Sequence, residues 1–213
     1  RQASPDVKLS PCPIDSMTVG LTSKLLWKQG YHQVKLFSCL ESDSGSTEGS
    51  IISFGYGHDS NYTDEMLAAI PENGVGIFDR GFCGHAKLKS AAASGKYFLM
   101  RINRNFNLEF DSESGLMQVG ADKDSGKYRV VWFCDVENRA EYRLATNLPR
   151  DGEWVVSDEE VMELYRKRWG IELLWKFLKM HLKLDRLMTK SVNGIERSEE
   201  HTSELQSHLM ISY

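Results

Sequence analysis

The strongest constraint in this sequence is the order of its hydrophobic segments. Three strand-like stretches come first, and only then do helix and strand begin to alternate. Residues 14–20 (IDSMTVG), 31–42 (YHQVKLFSCLES) and 50–57 (SIISFGYG) read as strands, with the Ser/Gly-rich SDSGSTEGS as the hairpin loop between the last two. NYTDEMLAAI follows as a helix, with Thr63 as its N-cap and Met66, Leu67 and Ile70 on its apolar side. GVGIFDRGF is a short apolar run that ends in a polar turn, which is the pattern of a buried strand. HAKLKSAAASG is a second helix with Gly95 as its stop, and KYFLMRI is a fifth strand. This order belongs to an α/β chain.

A β-like interval then runs from about residue 103 to 136 and contains FNLEF, LMQVG and KYRVVWFCDV. EYRLATNL is a further strand. Ser157, with Glu160 three residues on, opens a long last helix as a capping box. That helix is expected to run to about residue 182, with Gly170 in its interior at a cost of about 1 kcal/mol relative to Ala.

Composition narrows the class. Hydrophobic content of 41% and charged content of 26% suit a globular chain of 213 residues. No run of eighteen apolar residues suggests a membrane span, and no leader suggests secretion, so a cytoplasmic protein is expected. Cys12, Cys39, Cys83 and Cys134 form no C-x-x-C pair and read as small, buried, reduced thiols. The net charge of −4 is no argument for nucleic acid. Its distribution is: residues 161–190 carry eight Lys or Arg against three acids. A solvated helix face explains the same count equally well. Arg1 suggests a missing upstream part. The tail from residue 197 to 213 changes character abruptly, and its first twelve residues resemble a translated sequencing adapter, so it carries no weight here.

Within the last helix, Tyr165, Arg168, Glu172 and Lys179 are spaced by three, four and seven. At about 100° per residue they fall within roughly 60° of arc. Glu172 between cations suits a helix ion pair, and it also suits a site. Two further acids stand at informative places: Asp15 on the first strand, and Asp79 where GIF turns into DRGF. Each alone suits a local hydrogen-bonding or turn role. In a mixed sheet with the first and fourth strands adjacent, the two would approach each other, and a helix across the sheet could add Glu172. Three converging carboxylates repel one another, and a divalent cation removes that penalty.

Tyr165-x2-Arg168-x3-Glu172-x6-Lys179 resembles the signature of the insertion-sequence-four group of DDE transposases. FDRGF resembles that family's second-aspartate motif. IDSMTVGL resembles its first-aspartate motif, with Met17 where Thr is usual. The resemblance implies a ribonuclease H-like mixed sheet flanked by helices, with a β-rich insertion before the last helix. It further implies Asp15, Asp79 and Glu172 as catalytic metal ligands, and Tyr165, Arg168 and Lys179 as contacts to the transposon end. Mg2+ or Mn2+, as two ions, would be the cofactor. Double-stranded DNA, as element ends and target, would be the partner, with a homodimer in the synaptic complex. The implied division is 1–102 and 137–196 for the catalytic core, 103–136 for the insertion, and 197–213 for the tail. A metal nuclease without strand transfer and an inactive DNA-binding remnant are the alternatives.

Other residues have bland readings. His58 and Asp59 suit a polar loop before a helix, with a contribution to a site as the alternative, and His85 suits a helix start. Lys35 suits a strand edge or a DNA-facing position. Trp169 and Trp175 suit the core.

Overall fold

The computed structural model describes residues 9–41, 47–121, 125–135, 139–152, 154–182, 186–187, 191 and 193–194. The tail from residue 197 to 213, expected to be foreign, lies outside them. The elements are β1 (Ser10–Leu21), α1 (Lys24–Lys28), β2 (Gln33–Leu40), β3 (Thr47–Phe54), α2 (Thr63–Ala69), β4 (Gly74–Phe78), α3 (His85–Ala93) and β5 (Tyr97–Arg101). Then come β6 (Leu108–Asp111), β7 (Leu116–Val119), β8 (Gly126–Asp135), β9 (Ala140–Thr146), α4 (Asp158–Arg166), α5 (Trp169–Leu182) and β10 (Arg186–Leu187). Short 3₁₀ turns at Asp59–Tyr62 and Arg80–Phe82 precede α2 and follow β4.

One mixed sheet carries these strands in the order β3-β2-β1-β4-β5-β9-β8-β7-β6, with β10 beside β1. β1 runs parallel to β4, and β4 parallel to β5, whereas β2 and β3 are antiparallel neighbours. This is the ribonuclease H-like arrangement: three meandering strands, then two parallel strands joined through crossover helices. β4 pairs with β1 only as far as Ile14 opposite Phe78, and β10 takes up β1 again at Gly20. Asp15 stands at the start of the interval between them.

The sheet is covered on both faces. Alternation sends Cys12 and Ile14 of β1 and Phe78 of β4 to one face, where they pack with Met66 and Leu67 of α2 and Leu88 and Ala91 of α3. Met17 and Val19 of β1 go to the other face and meet Ile171, Leu174, Trp175 and Leu178 of α5. Burying one such side chain fully contributes roughly 1.5–3 kcal/mol. Farther along that face, Val75, Ile77 and Leu99 pack against Val161 and Tyr165 of α4. The glycines of GVGIF follow from the first face: a Cβ on Gly76 would stand 2.3 Å from Ile70 Cδ1.

Several sequence expectations need correction. The first strand starts at Ser10, not residue 14. Pro11 and Pro13 argue against a strand there, yet β1 pairs only with β4 over that stretch, and β2 joins at Ile14. The N–H groups the prolines lack fall on the side without a partner strand. Helix α1 was not expected at all. Thr63 is not the cap of α2; Tyr62 is. The Thr63 hydroxyl donates instead to the carbonyls of Phe82 at 2.8 Å and Ser60 at 3.1 Å.

The long last helix is two helices. Ser157 does form the expected capping box with Glu160. At the other end of α4 the bonds tighten: Lys167 N–H reaches the Leu164 carbonyl, and Arg168 N–H reaches the Tyr165 carbonyl. Gly170 therefore sits in the first turn of α5, not in a helix interior. Trp169, expected in the core, is 59% exposed at this break, while Trp175 is buried as expected. Cys12, Cys39 and Cys83 are buried and outside any disulfide; Cys134 is also outside any disulfide but exposed. Among the described residues no helix is long and apolar enough to cross a membrane.

Candidate active site

Sheet register brings the first two acids together. Ile14 and Phe78 are partners across the parallel β1–β4 pair; Asp15 is the next residue of β1, and Asp79 directly follows the end of β4. Neighbouring strands lie about 4.8 Å apart. Both side chains belong by alternation to the face covered by α4 and α5. Glu172, in the first turn of α5, comes in over that face.

Arg168 joins the three. Its Nη1 donates to Glu172 Oε1 at 2.5 Å. Its charge also acts on the carboxylates of Asp15 and Asp79. Burial of the guanidinium works against its charge, but Tyr165, Glu172 and Asp79 more than offset this and raise its pKa. Its Nε is buried without a hydrogen-bond partner in this arrangement.

The two aspartates are held differently. Asp79 would be pushed up by burial, but the Arg80 N–H and the charges of Arg168, Arg101 and Arg80 carry it below the usual carboxylate range. Its Oδ1 accepts from Arg101 Nη1 at 3.4 Å and from the Tyr165 hydroxyl at 3.3 Å. Asp15 goes the other way. Burial raises it to about 6 despite the Ser16 N–H and Arg168, and the carboxylates of Glu172 and Asp59 raise it further.

Tyr165 is buried, with its ring against Phe133 and Tyr142. Burial beside Asp79 pushes its hydroxyl well above the usual phenol range, so it remains a donor. Lys179 is exposed and lines, with Asp15, Ser16, Glu172, Trp175 and Lys176, an open cleft of about 510 Å³. Thus Asp15, Asp79, Glu172 and Tyr165 each meet Arg168, and Lys179 lines the cleft beside Asp15 and Glu172. Sequence reasoning passed over Arg101 and favoured a loop role for Asp59. A charged residue ending the apolar strand YFLMR was a usable signal for the first. His58 caps the 3₁₀ turn ahead of α2, and His85 is the first residue of α3.

The donor chemistry of this cluster suits a hard divalent cation: its acids offer oxygen only, and Asp15 is buried beside other carboxylates. In this side-chain arrangement Arg168 does the neutralising. No trio of His, Cys, Asp or Glu among the described residues is gathered closely enough to hold an ion.

Comparison with known proteins identifies the family. Residues 9–198 match the family described as "Transposase DDE domain", whose members generally use divalent metal ions. The chain is 47% identical over 186 residues to a Synechocystis protein named as a transposase for insertion sequence element IS4SA, covering 86% of this chain and 54% of that protein. It is 22% identical over 204 residues to a Geobacillus stearothermophilus protein named as a transposase for IS5377, covering 85% of this chain and 51% of that one. The chain thus spans about half the length of the curated relatives it matches. Among solved structures, a piggyBac transposase synaptic complex with hairpin DNA superimposes with a TM-score of 0.59 at 11% identity, covering 96% of this chain and 48% of that one. The fold is therefore that of the ribonuclease H-like transposases, and the chain belongs to the DDE transposase family.

Proposed function

We propose that this chain is the catalytic core of a DNA transposase that cuts and joins phosphodiesters at the ends of an insertion sequence. One observation carries the reading: acids from β1, the end of β4 and α5 converge on a single guanidinium, that of Arg168. Asp15, Asp79 and Glu172 are the metal ligands in this reading, for Mg2+ or Mn2+ and for two ions. Such ions, when bound, activate an attacking oxygen and neutralise charge on the leaving oxygen.

The chain's own residues do the rest. Arg101 and Tyr165 hold Asp79 ionised and oriented. Arg168 and Lys179 supply positive charge for phosphate oxygens, Arg as a planar fork and Lys as a point charge. Tyr165, with its ring buried, reaches the DNA end only through its hydroxyl. Water attacks phosphorus first, and the bond to the 3′ oxygen breaks, leaving a 3′-OH. That hydroxyl then attacks a second phosphodiester, losing its proton as the new P–O bond forms and the old one breaks. Both steps are in-line displacements at phosphorus, so one site serves both. Two element ends need two such sites, which favours a homodimer on double-stranded DNA, acting in the cytoplasm at the nucleoid. Residues 103–136 are the insertion and the flanking segments the core.

The test is a duplex carrying the matched ends of the encoding element, incubated with the protein and Mg2+. Joined product is expected. Nicks without joining would make the chain a metal nuclease. DNA retention that survives alanine at all three acids, with no cleavage by any form, would make it a binding remnant.

A further inference from the structure

A fourth acid touches this site from the opposite face of the sheet. Asp59 opens the 3₁₀ turn ahead of α2. Its Oδ1 accepts from the Ser16 hydroxyl at 2.9 Å and from Lys35 Nζ at 3.0 Å. Lys35 is itself anchored to the Gly57 carbonyl at 2.9 Å. Ser16 directly follows Asp15 and by alternation points to the other face of the sheet. Across the loop, a Cβ on Gly81 would stand 3.0 Å from Asp59 Oδ2. The glycine of FDRGF thus leaves room for this carboxylate against the turn that begins at Asp79. Thr63 ties the same loop to that turn through the Phe82 carbonyl.

We propose that Asp59 is a positioning residue that locks the Asp15-bearing stretch of β1 and the Asp79-bearing turn into one arrangement. The inference rests on the metal-dependent reading of the site given above. The pair with Lys35 is a structural ion pair as well, with side chains 18% and 26% exposed. A role confined to stability would change unfolding and leave cation affinity alone. A positioning role changes cation affinity in a folded protein, because groups that orient metal ligands typically govern affinity by 10–100-fold.

The experiment measures Mn2+ binding by electron paramagnetic resonance on the full chain and its variants, with far-UV circular dichroism as the folding check. Asp59→Ala is expected to weaken binding about tenfold or more. Ser16→Ala should weaken it less, because Asp59 also holds Lys35, and the double variant should be no weaker than Asp59→Ala alone, because Ser16 acts only through Asp59. Binding by Asp59→Ala within twofold of wild type overturns the proposal, as does a double variant whose loss is the product of the two single losses. If Asp59→Ala does not fold, Asp59→Asn decides. It keeps an acceptor oxygen but loses the charge that holds Lys35, so a loss of at least about threefold is expected, and equality with wild type refutes. Asp79→Asn is the control. If that variant binds Mn2+ as wild type does, or if wild type binds none, the metal-dependent reading fails and takes this one with it; if the control loses binding and the Asp59 variants do not, only the positioning role falls.

Discussion

Replacing Asp15 with Asn should make the metal-free protein more stable at neutral pH. The folded chain raises the Asp15 carboxyl from 3.8 to about 6, mainly by burial. In the unfolded chain it returns to its ordinary value. Between these two values the unfolded state gives up its proton first, so stability falls as pH rises through the window. Below pH 4 both states are protonated and the penalty vanishes. Above pH 6 it is complete. At about 1.4 kcal/mol for each pH unit, the ionised carboxylate costs the fold up to about 3 kcal/mol. Asparagine has the shape of the protonated acid and carries no such cost. Urea unfolding in the presence of a chelator measures the difference. Asp15→Asn should exceed wild type by about 3 kcal/mol at pH 7.5 and by less than about 1 kcal/mol near pH 4. Saturating Mn2+ should close the gap by stabilising wild type alone. A variant less stable than wild type at pH 7.5, or a difference that ignores pH, would refute the reasoning. Stability gained on removing a group is what a site assembled for binding, not for folding, should show.

Two further substitutions probe the frame around the site. Arg129, 8% exposed on β8, donates to the carbonyls of Leu148 at 3.3 Å, Pro149 at 3.3 Å and Val156 at 2.7 Å, and pairs with Asp158. Arg129→Met should lose about 3–5 kcal/mol in urea unfolding, because it strands those acceptors; a loss under about 1 kcal/mol contradicts that account. Tyr165→Phe keeps the ring packing and removes only the 3.3 Å bond to Asp79. Stability should stay within about 1 kcal/mol while strand cleavage slows at least about tenfold, and unchanged cleavage would show that the hydroxyl does not hold the acid.

What could be read from the sequence was what single elements carry. The apolar run GVGIF and the capping box at Ser157 are local patterns, and β4 and the start of α4 follow from them. The spacing of Tyr165, Arg168, Glu172 and Lys179 is local too, yet its expected geometry was wrong in one respect. A continuous helix would put all four on one stripe. The break at Lys167 and Arg168 instead leaves Tyr165 at the buried end of α4 and Glu172 in the first turn of α5. No propensity term marks that break strongly: Arg, Lys and Trp are ordinary helix residues, and Gly170 costs about 1 kcal/mol. Packing decided it, because Tyr165 joins the cluster under β4 and β5 while Ile171 joins the one under β1 and β2.

Asp59 shows where reading along the chain stops. In sequence it is one polar residue in GYGHDSNY, with nothing to separate it from a loop acid. Its partner Ser16 lies 43 residues away and its notch is at Gly81. Hydrogen-bond partners that distant leave no periodicity and no spacing, since the loop between them can have any length. The register of β1 with β2 brings Ser16 opposite Phe37 and so within reach of what Lys35 holds. A motif therefore names the groups that do chemistry, because their spacing on one element is constrained. The groups that hold them in place are constrained only in space, and only the folded sheet reveals them.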